Sequence, residues 1–169
     1  IGIPLARELK NFTNHIRLVS RNPKKVNDSD ELFPADVNDL SQLEKAIAGS
    51  EVVYVVIGFE YKLSVWQKTW PPFLKAVIDA CKTHNAKLVF FDNVYMYAKS
   101  AIPFMTEESP MQPPSRKGMV RKEIVDMINA AVEMKELTAL IARAADFYGP
   151  DNKNSALAQM VAANLLSGK

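Results

Sequence analysis

Apolar positions along this chain alternate between clusters spaced three and four apart and short continuous runs, a rhythm of helices and strands in turn. Leu5, Ala6, Leu9 and Phe12 fall on one face of an opening helix, and Ile16 to Ser20 is a short strand. A second helix lies between Asp36 and Gly49. Asp39 and Gln42 form its capping pair, Leu40, Leu43, Ala46 and Ile47 its apolar stripe, and Gly49 ends it. Val52 to Ile57 is apolar without alternation, as in a strand covered by helices on both faces. From Leu63 to His84 the pattern is helical, restarting at Pro71-Pro72, with Phe73, Leu74, Val77, Ala80 and Cys81 facing a sheet. Leu88 to Phe91 is the next strand, and the proline-rich polar stretch from Ala98 to Pro114 is a loop. A helix over 116–135 buries Ile124, Val125, Ile128, Ala131 and Val132. Leu137 to Ala142 forms a strand and Ala145 to Asn154 a loop, and Leu157, Met160, Val161 and Leu165 mark a final helix. This alternation predicts an α/β fold around a parallel sheet.

Composition narrows the class. The 169 residues suffice for one domain with a substantial core. A balance of 21 basic and 19 acidic residues, net +2, is too small by itself to point to a nucleic-acid or membrane surface. The longest apolar run is far too short to span a bilayer. One cysteine, Cys81, precludes an internal disulfide and fits a reducing, cytoplasmic compartment. His15 and His84 stand apart from each other and from the cysteine, so no metal cluster is expected. The first residue is an isoleucine already inside a helical pattern, and the last three follow another helix. The expectation is a single domain, residues 1–169, incomplete at both ends.

Several segments carry a more specific pattern. Ile1-Gly2-Ile3-Pro4-Leu5-Ala6-Arg7-Glu8-Leu9 is similar to the tail of a Gly-x-x-Gly-x-x-Gly dinucleotide turn entering its helix, although a loop glycine would look the same. Ser20-Arg21-Asn22-Pro23-Lys24-Lys25 follows the first visible strand directly. At this place an acidic residue accepts hydrogen bonds from the ribose of NAD, whereas an arginine suits a 2′-phosphate. A solvated basic turn is the competing reading. Then come Ala35-Asp36-Val37-Asn38-Asp39-Leu40, Val52–Gly58, Leu88–Tyr97 and Ala142–Pro150, in that order. Together these resemble the NAD-dependent epimerase/dehydratase group of the extended and atypical short-chain dehydrogenase/reductase families, over essentially the whole chain. The most specific elements are Arg143…Tyr148-Gly149-Pro150, similar to the family's Arg-x-x-x-x-Tyr-Gly-Pro, and Glu107-Glu108-Ser109-Pro110, similar to its Thr-Glu-x-x-Pro loop.

The resemblance implies a Rossmann-type doubly wound parallel sheet with helices on both faces. In the order 3-2-1-4-5-6 the central first strand would lie upstream of Ile1, and a substrate lobe would follow Lys169. The chain alone is then expected to be poorly stable and to bind cofactor weakly. The resemblance also implies a cofactor site of Gly2 as third glycine, Ser20 and Arg21 at the ribose, Asp36 on the adenine amino group with Val37 beside it, Ile57 and Gly58 by the nicotinamide half, and Arg121 on the nicotinamide ribose. NADP is preferred over NAD on the strength of Arg21.

The family's catalytic serine, tyrosine and lysine map onto Asn93, Lys117 and Arg121. Arg121 can donate to ribose hydroxyls but does not give up a proton. An ammonium such as that of Lys117 acts as a general acid only where neighbours make it shed its proton more readily, and a nearby arginine acts in that direction. Asn93 can orient a substrate but has no proton to relay. Tyr95 is a candidate phenol, as is Tyr61, while Tyr97 reads as the family's packed strand-end tyrosine. Arg116, Lys117, Arg121 and Lys122 also read as a solvated basic face or as an anion-binding patch.

Two functions follow. One is an NAD(P)-dependent oxidoreductase or isomerase acting on a small or nucleotide-linked carbonyl or alcohol, with a non-standard active site. The other is a non-catalytic NAD(P)-sensing regulator. The expected partner is a small-molecule substrate, without nucleic acid or membrane, and a homodimer is left open.

Overall fold

The computed structural model describes residues 1–145, 155 and 157–168, with the backbone alone at 157–159. Helix α1 (Gly2–Leu9) leads into strand β1 (Arg17–Ser20), and β2 (Glu31–Pro34) is followed by α2 (Leu40–Ile47) and β3 (Val52–Val55). The long α3 (Leu63–His84) precedes β4 (Lys87–Asp92), and α4 (Arg116–Glu133) precedes β5 (Ala139–Arg143). The segment between β4 and α4 contains a 3-10 turn, Lys99–Phe104. The last described elements are a π-helical stretch, Leu157–Ala162, and the single turn α5 (Ala163–Leu166).

All the strands pair in parallel, in two sheets: β1-β2, and β3-β4-β5 with β4 central. Taking strand 1 out of the order 3-2-1-4-5-6 leaves 3-2 and 4-5-6, which is the arrangement seen. The chain therefore has the Rossmann-type doubly wound architecture, and the strand that would join its halves is not among the described residues. Helix α1 lies over the join. Gly2 sits beside Val56, and the Ala6 carbonyl accepts from Asn27 Nδ2 at 2.9 Å. A Cβ on Gly2 would meet Val56 at 3.6 Å, an ordinary contact, so close packing here does not demand glycine.

The main core lies between β3-β4-β5 and helices α2, α3 and α4. Val55, Leu88 and Phe90 point into it, against Trp70, Phe73, Leu74, Val77 and Cys81 of α3 and Ile124 and Ile128 of α4. The cap of α2 forms as the sequence predicts: Asp39 Oδ1 accepts from the backbone of Ser41 and Gln42, and Gln42 Nε2 donates to Asp39 Oδ2 at 2.8 Å.

Several expectations are corrected. Strand β2 was not foreseen, because four half-exposed residues ending in proline show neither alternation nor a long apolar run. Pairing with β1 makes it a strand. Helix α3 does not restart at Pro71-Pro72 but runs through both, its halves locked by the buried Trp66, Trp70, Phe73 and Leu74. Helix α1 stops at Leu9, which leaves Phe12 85% exposed, and Val132 of α4 faces outward. Tyr54 and Leu140 share the sheet face opposite α3 and α4, and both are exposed, so cover on that face is incomplete among the described residues. Tyr148-Gly149-Pro150 lies outside the described residues.

Candidate functional site

Parallel pairing sends every strand's carboxyl end the same way, and the candidate residues gather along that edge. At the two-stranded end, Ser20 closes β1 and exposed Arg21 follows it, while Asp36 follows β2. Asp36 Oδ1 accepts from the backbone and side-chain nitrogens of Asn38, at 3.0 and 2.8 Å. These bonds hold its carboxyl below the usual range, and Arg21 nearby adds to the effect. Arg21 and Asp36 thus follow paired strands at the same sheet edge. Val37 and Ile57 pack against the main core, whereas Gly58 is exposed with open space where a Cβ would stand.

The turn carrying Arg21 is pinned from below. Asp30, 3% exposed, accepts from the backbone of Val26 (2.9 Å) and Asn27 (2.7 Å), and Asn27 ties it to α1. Burial pushes the Asp30 carboxyl up, but the Asn27 and Val26 bonds outweigh it and leave it below the usual range.

At the three-stranded end, the segment after β3 carries Tyr61 and the segment after β4 carries Tyr95. Their hydroxyls are 3.4 Å apart. Trp66 of α3 stacks on the Tyr95 ring at 6.3 Å and meets Tyr61 edge-on at 5.4 Å. Lys117, in the first turn of α4, donates to the Tyr61 carbonyl at 3.1 Å, and its ammonium sits 3.0 Å from the centroid of that ring. A cavity of about 420 Å³ opens here, lined by Tyr61, Leu63, Tyr95, Ser115, Arg116 and Lys117.

Local chemistry places these groups. Ser115 caps α4 by accepting from the Gly118 amide at 3.0 Å. Asn93 Oδ1 accepts from the Tyr95 amide at 2.9 Å, so this side chain shapes the turn that presents Tyr95. Gly118 lets the helix close on that turn: a Cβ there would collide with the Tyr95 carbonyl and come within 2.7 Å of Pro113. Tyr97 is buried, as expected, and accepts from Arg143 Nη1 at 2.6 Å.

Arg121 requires a correction. Its guanidinium faces the core, not the cleft, with Nε donating to Asp92 Oδ1 at 2.7 Å and Nη2 donating to the same oxygen. The two side chains are 3% and 0% exposed. Trp70 covers the guanidinium at 4.3 Å and Phe90 at 5.2 Å. Burial pushes the Asp92 carboxyl above the usual range, against the pull of Arg121 and the Asn93 amide. Burial also makes the guanidinium a weaker base, which Asp92 opposes. In this arrangement Arg121 is spent on Asp92 rather than presented to a ribose.

The sequence reading passed over Asp92, Trp66 and Trp70. The signals were there: Asp92 follows Leu88 and Phe90 on the inward alternation of β4, and the tryptophans are four apart on one helix face. Among the described residues, no group of His, Cys, Asp and Glu could hold a metal, and no helix is long and apolar enough to cross a membrane.

Comparison with known proteins agrees with this architecture. The family described as NAD(P)H-binding matches residues 1–145. A UDP-galactose 4-epimerase structure superposes with a TM-score of 0.78 at 19% identity, covering 99% of this chain and 60% of that one. The UDP-N-acetylglucosamine 4-epimerase from Bacillus cereus gives 0.68 at 19%, covering 85% and 51%. Uronate dehydrogenase from Agrobacterium tumefaciens gives 0.71 at 14%, covering 82% and 54%. The chain thus spans a little over half the length of these structures, and at such identities the likeness is one of fold. No curated protein matches the chain in sequence.

Proposed function

The chain belongs to the NAD(P)H-binding family, and from that premise we propose that it is the cofactor domain of an epimerase/dehydratase-like oxidoreductase or isomerase. Its substrate is a small or nucleotide-linked carbonyl or alcohol. The observation that carries this reading is the cluster at the carboxyl ends of β3 and β4: two phenols 3.4 Å apart with the Lys117 ammonium against one ring, beside an open cavity.

The residues present fit a nicotinamide cofactor. Arg21 is exposed and in no ion pair among the described residues, which suits a 2′-phosphate and makes NADP preferred over NAD. Ser20, Asp36 and Val37 would hold the adenosine half, and Ile57 and the open Gly58 the nicotinamide half, with Gly2 at the helix entrance. When bound, that cofactor gives or takes the hydride. The Tyr95 phenol gives the proton to the substrate oxygen, or takes it in the reverse direction, with Tyr61 as its hydrogen-bonded neighbour. Lys117 stabilises negative charge developing on that oxygen. Asn93 acts by fixing the Tyr95 turn.

The test is NADPH oxidation and epimerisation measured across a panel of carbonyl compounds and sugar nucleotides. Turnover should fall about 100-fold or more in Tyr95→Phe, the scale of a lost acid–base group, with NADPH affinity unchanged. Turnover indifferent to Tyr95→Phe and Lys117→Ala would remove these residues from the chemistry. Tight NADPH binding with no turnover anywhere on the panel would instead support a non-catalytic NAD(P)-sensing protein.

A further inference from the structure

The two phenols beside the cavity stand on segments that α4 holds one turn apart. Lys117, in its first turn, holds the segment after β3: its ammonium donates to the Tyr61 carbonyl and lies over the Tyr61 ring. Arg121, one turn on, holds the segment after β4, and does so from inside the core. Its Nε and Nη2 both donate to Asp92 Oδ1. The same oxygen accepts from the Asn93 amide at 2.8 Å, and Asn93 Oδ1 in turn accepts from the Tyr95 amide at 2.9 Å. Asp92 Oδ2 is buried and has no hydrogen-bond partner among the described residues. The bonds of this carboxylate therefore meet at one oxygen, and the rigid guanidinium fixes which oxygen faces the turn. A second route runs through Trp66. Its ring lies 5.6 Å from the Arg121 guanidinium and stacks on Tyr95 at 6.3 Å, with 19° between the planes. Between Lys117 and Arg121, Gly118 closes α4 on the Tyr95 carbonyl itself.

We infer that Arg121 and Asp92 are positioning residues for the Tyr95 phenol, the buried pair orienting it through the Asn93 turn and the Trp66 ring. With Lys117 on Tyr61, α4 then sets how the two phenols face each other. The inference rests on the function proposed above, in which Tyr95 moves the proton, and it gives Arg121 a part in that function without contact with cofactor or substrate. A proton donor works only within hydrogen-bond reach of the reacting oxygen, and a displacement of about 1 Å costs on the order of 100-fold in rate. Tyr95 is itself 39% exposed, on a segment between elements, where a long side chain left to itself samples several rotamers. Arg121 and Asp92 are 3% and 0% exposed, packed where side chains have no room to drift. The exposed phenol thereby borrows the rigidity of the core.

Two double variants of the whole chain separate positioning from stability. Asp92→Leu/Arg121→Met strands no charge but removes the acceptor of the Asn93 amide. Asp92→Asn/Arg121→Gln keeps an acceptor there and a donor to hold it. On the best substrate of the carbonyl and sugar-nucleotide panel, kcat should fall about tenfold or more in the apolar double variant, with KM and NADPH affinity within about twofold of wild type. In the amide double variant kcat should return most of the way. A second readout needs no turnover: 3-fluorotyrosine in place of the five tyrosines, with the Tyr95 fluorine resonance assigned by its loss in Tyr95→Phe. That resonance should shift or broaden in the apolar double variant and return in the amide one. An unmoved resonance in the folded apolar variant, or one still displaced in the folded amide variant, would overturn the inference. So would a kcat that merely follows melting temperature through the series. If the resonance moves as expected while Tyr95→Phe leaves turnover untouched, the positioning stands and the proposed role of the phenol in the chemistry fails.

Discussion

The two sheets of this molecule are held together in different ways. Around β3-β4-β5 the strands pack against three helices, and the most buried residues, among them Phe90, Leu74, Leu88 and Ile124, lie in that region. Around β1-β2 little is fully buried, and Val19 and Leu32 are 38% and 39% exposed. What secures this smaller sheet is polar: Asp30 on the Val26 and Asn27 amides, Asn27 on α1, and Arg17 on the carbonyls of Ala46 and Ala48. Yet the large sheet also holds the most deeply buried ion pair among the described residues, Arg121 and Asp92. An ion pair so deep owes its tolerance to geometry, because desolvation costs several kcal/mol per ion and only close mutual bonds offset it. The lesson is that the β1-β2 end rests on a shallow polar scaffold, and the β3-β4-β5 end on a deep core with a charge inside.

That contrast can be broken at several points. Removing one member of the buried pair, Arg121→Ala or Asp92→Ala, should cost about 3–5 kcal/mol in chemical unfolding, since it strands the other charge. A loss within ordinary surface scatter would mean that the pair is not buried in solution. Gly118→Ala should cost about 1–3 kcal/mol by driving a methyl into the Tyr95 carbonyl and Pro113, and should lower turnover through displacement of Tyr95. Unchanged stability and activity would show that α4 and the Tyr95 turn are not in contact.

On the polar scaffold, Asp30→Asn should cost about 1 kcal/mol near neutral pH and loosen NADPH through the Arg21 turn. Its pH dependence has a defined sign. The Asp30 carboxyl lies below its ordinary value in the fold, so its contribution is full above the ordinary carboxylate range and is lost as pH falls through the depressed value. Stability curves of wild type and Asp30→Asn should therefore converge in acid; parallel curves would refute the assignment. Leu32→Thr, on the open face of β2, should change stability by less than about 0.5 kcal/mol. A larger loss would mean that something covers this face.

The deep region was also the more legible in sequence. Val52 to Ile57, the Phe73–Cys81 stripe and the Ile124–Ala131 stripe show their period because burial selects for it, and the structure seats them where the pattern puts them. Strand β2 escaped notice because its order comes from pairing with β1, a partner no local pattern reveals. The site was half legible. Motif order located Lys117, Asn93 and Tyr95 at one sheet edge. The inward turn of Arg121 was hidden because it depends on Asp92, 29 residues away, and on the aromatic cover of α3. A resemblance that equates positions carries no information about which way a long side chain points.

The central claim is that two cations four residues apart on α4 have parted, Lys117 facing the cavity and Arg121 the core. The most direct test is the double variant Asp92→Leu/Arg121→Met, with unfolding and NADPH titration read on the same protein. If Arg121 is the core partner of Asp92, the double variant should recover most of the stability lost in either single change, because matched apolar groups leave no stranded charge, and should bind NADPH as wild type does. A folded double variant that has lost NADPH would show that Arg121 reaches the cofactor, and would contradict the account.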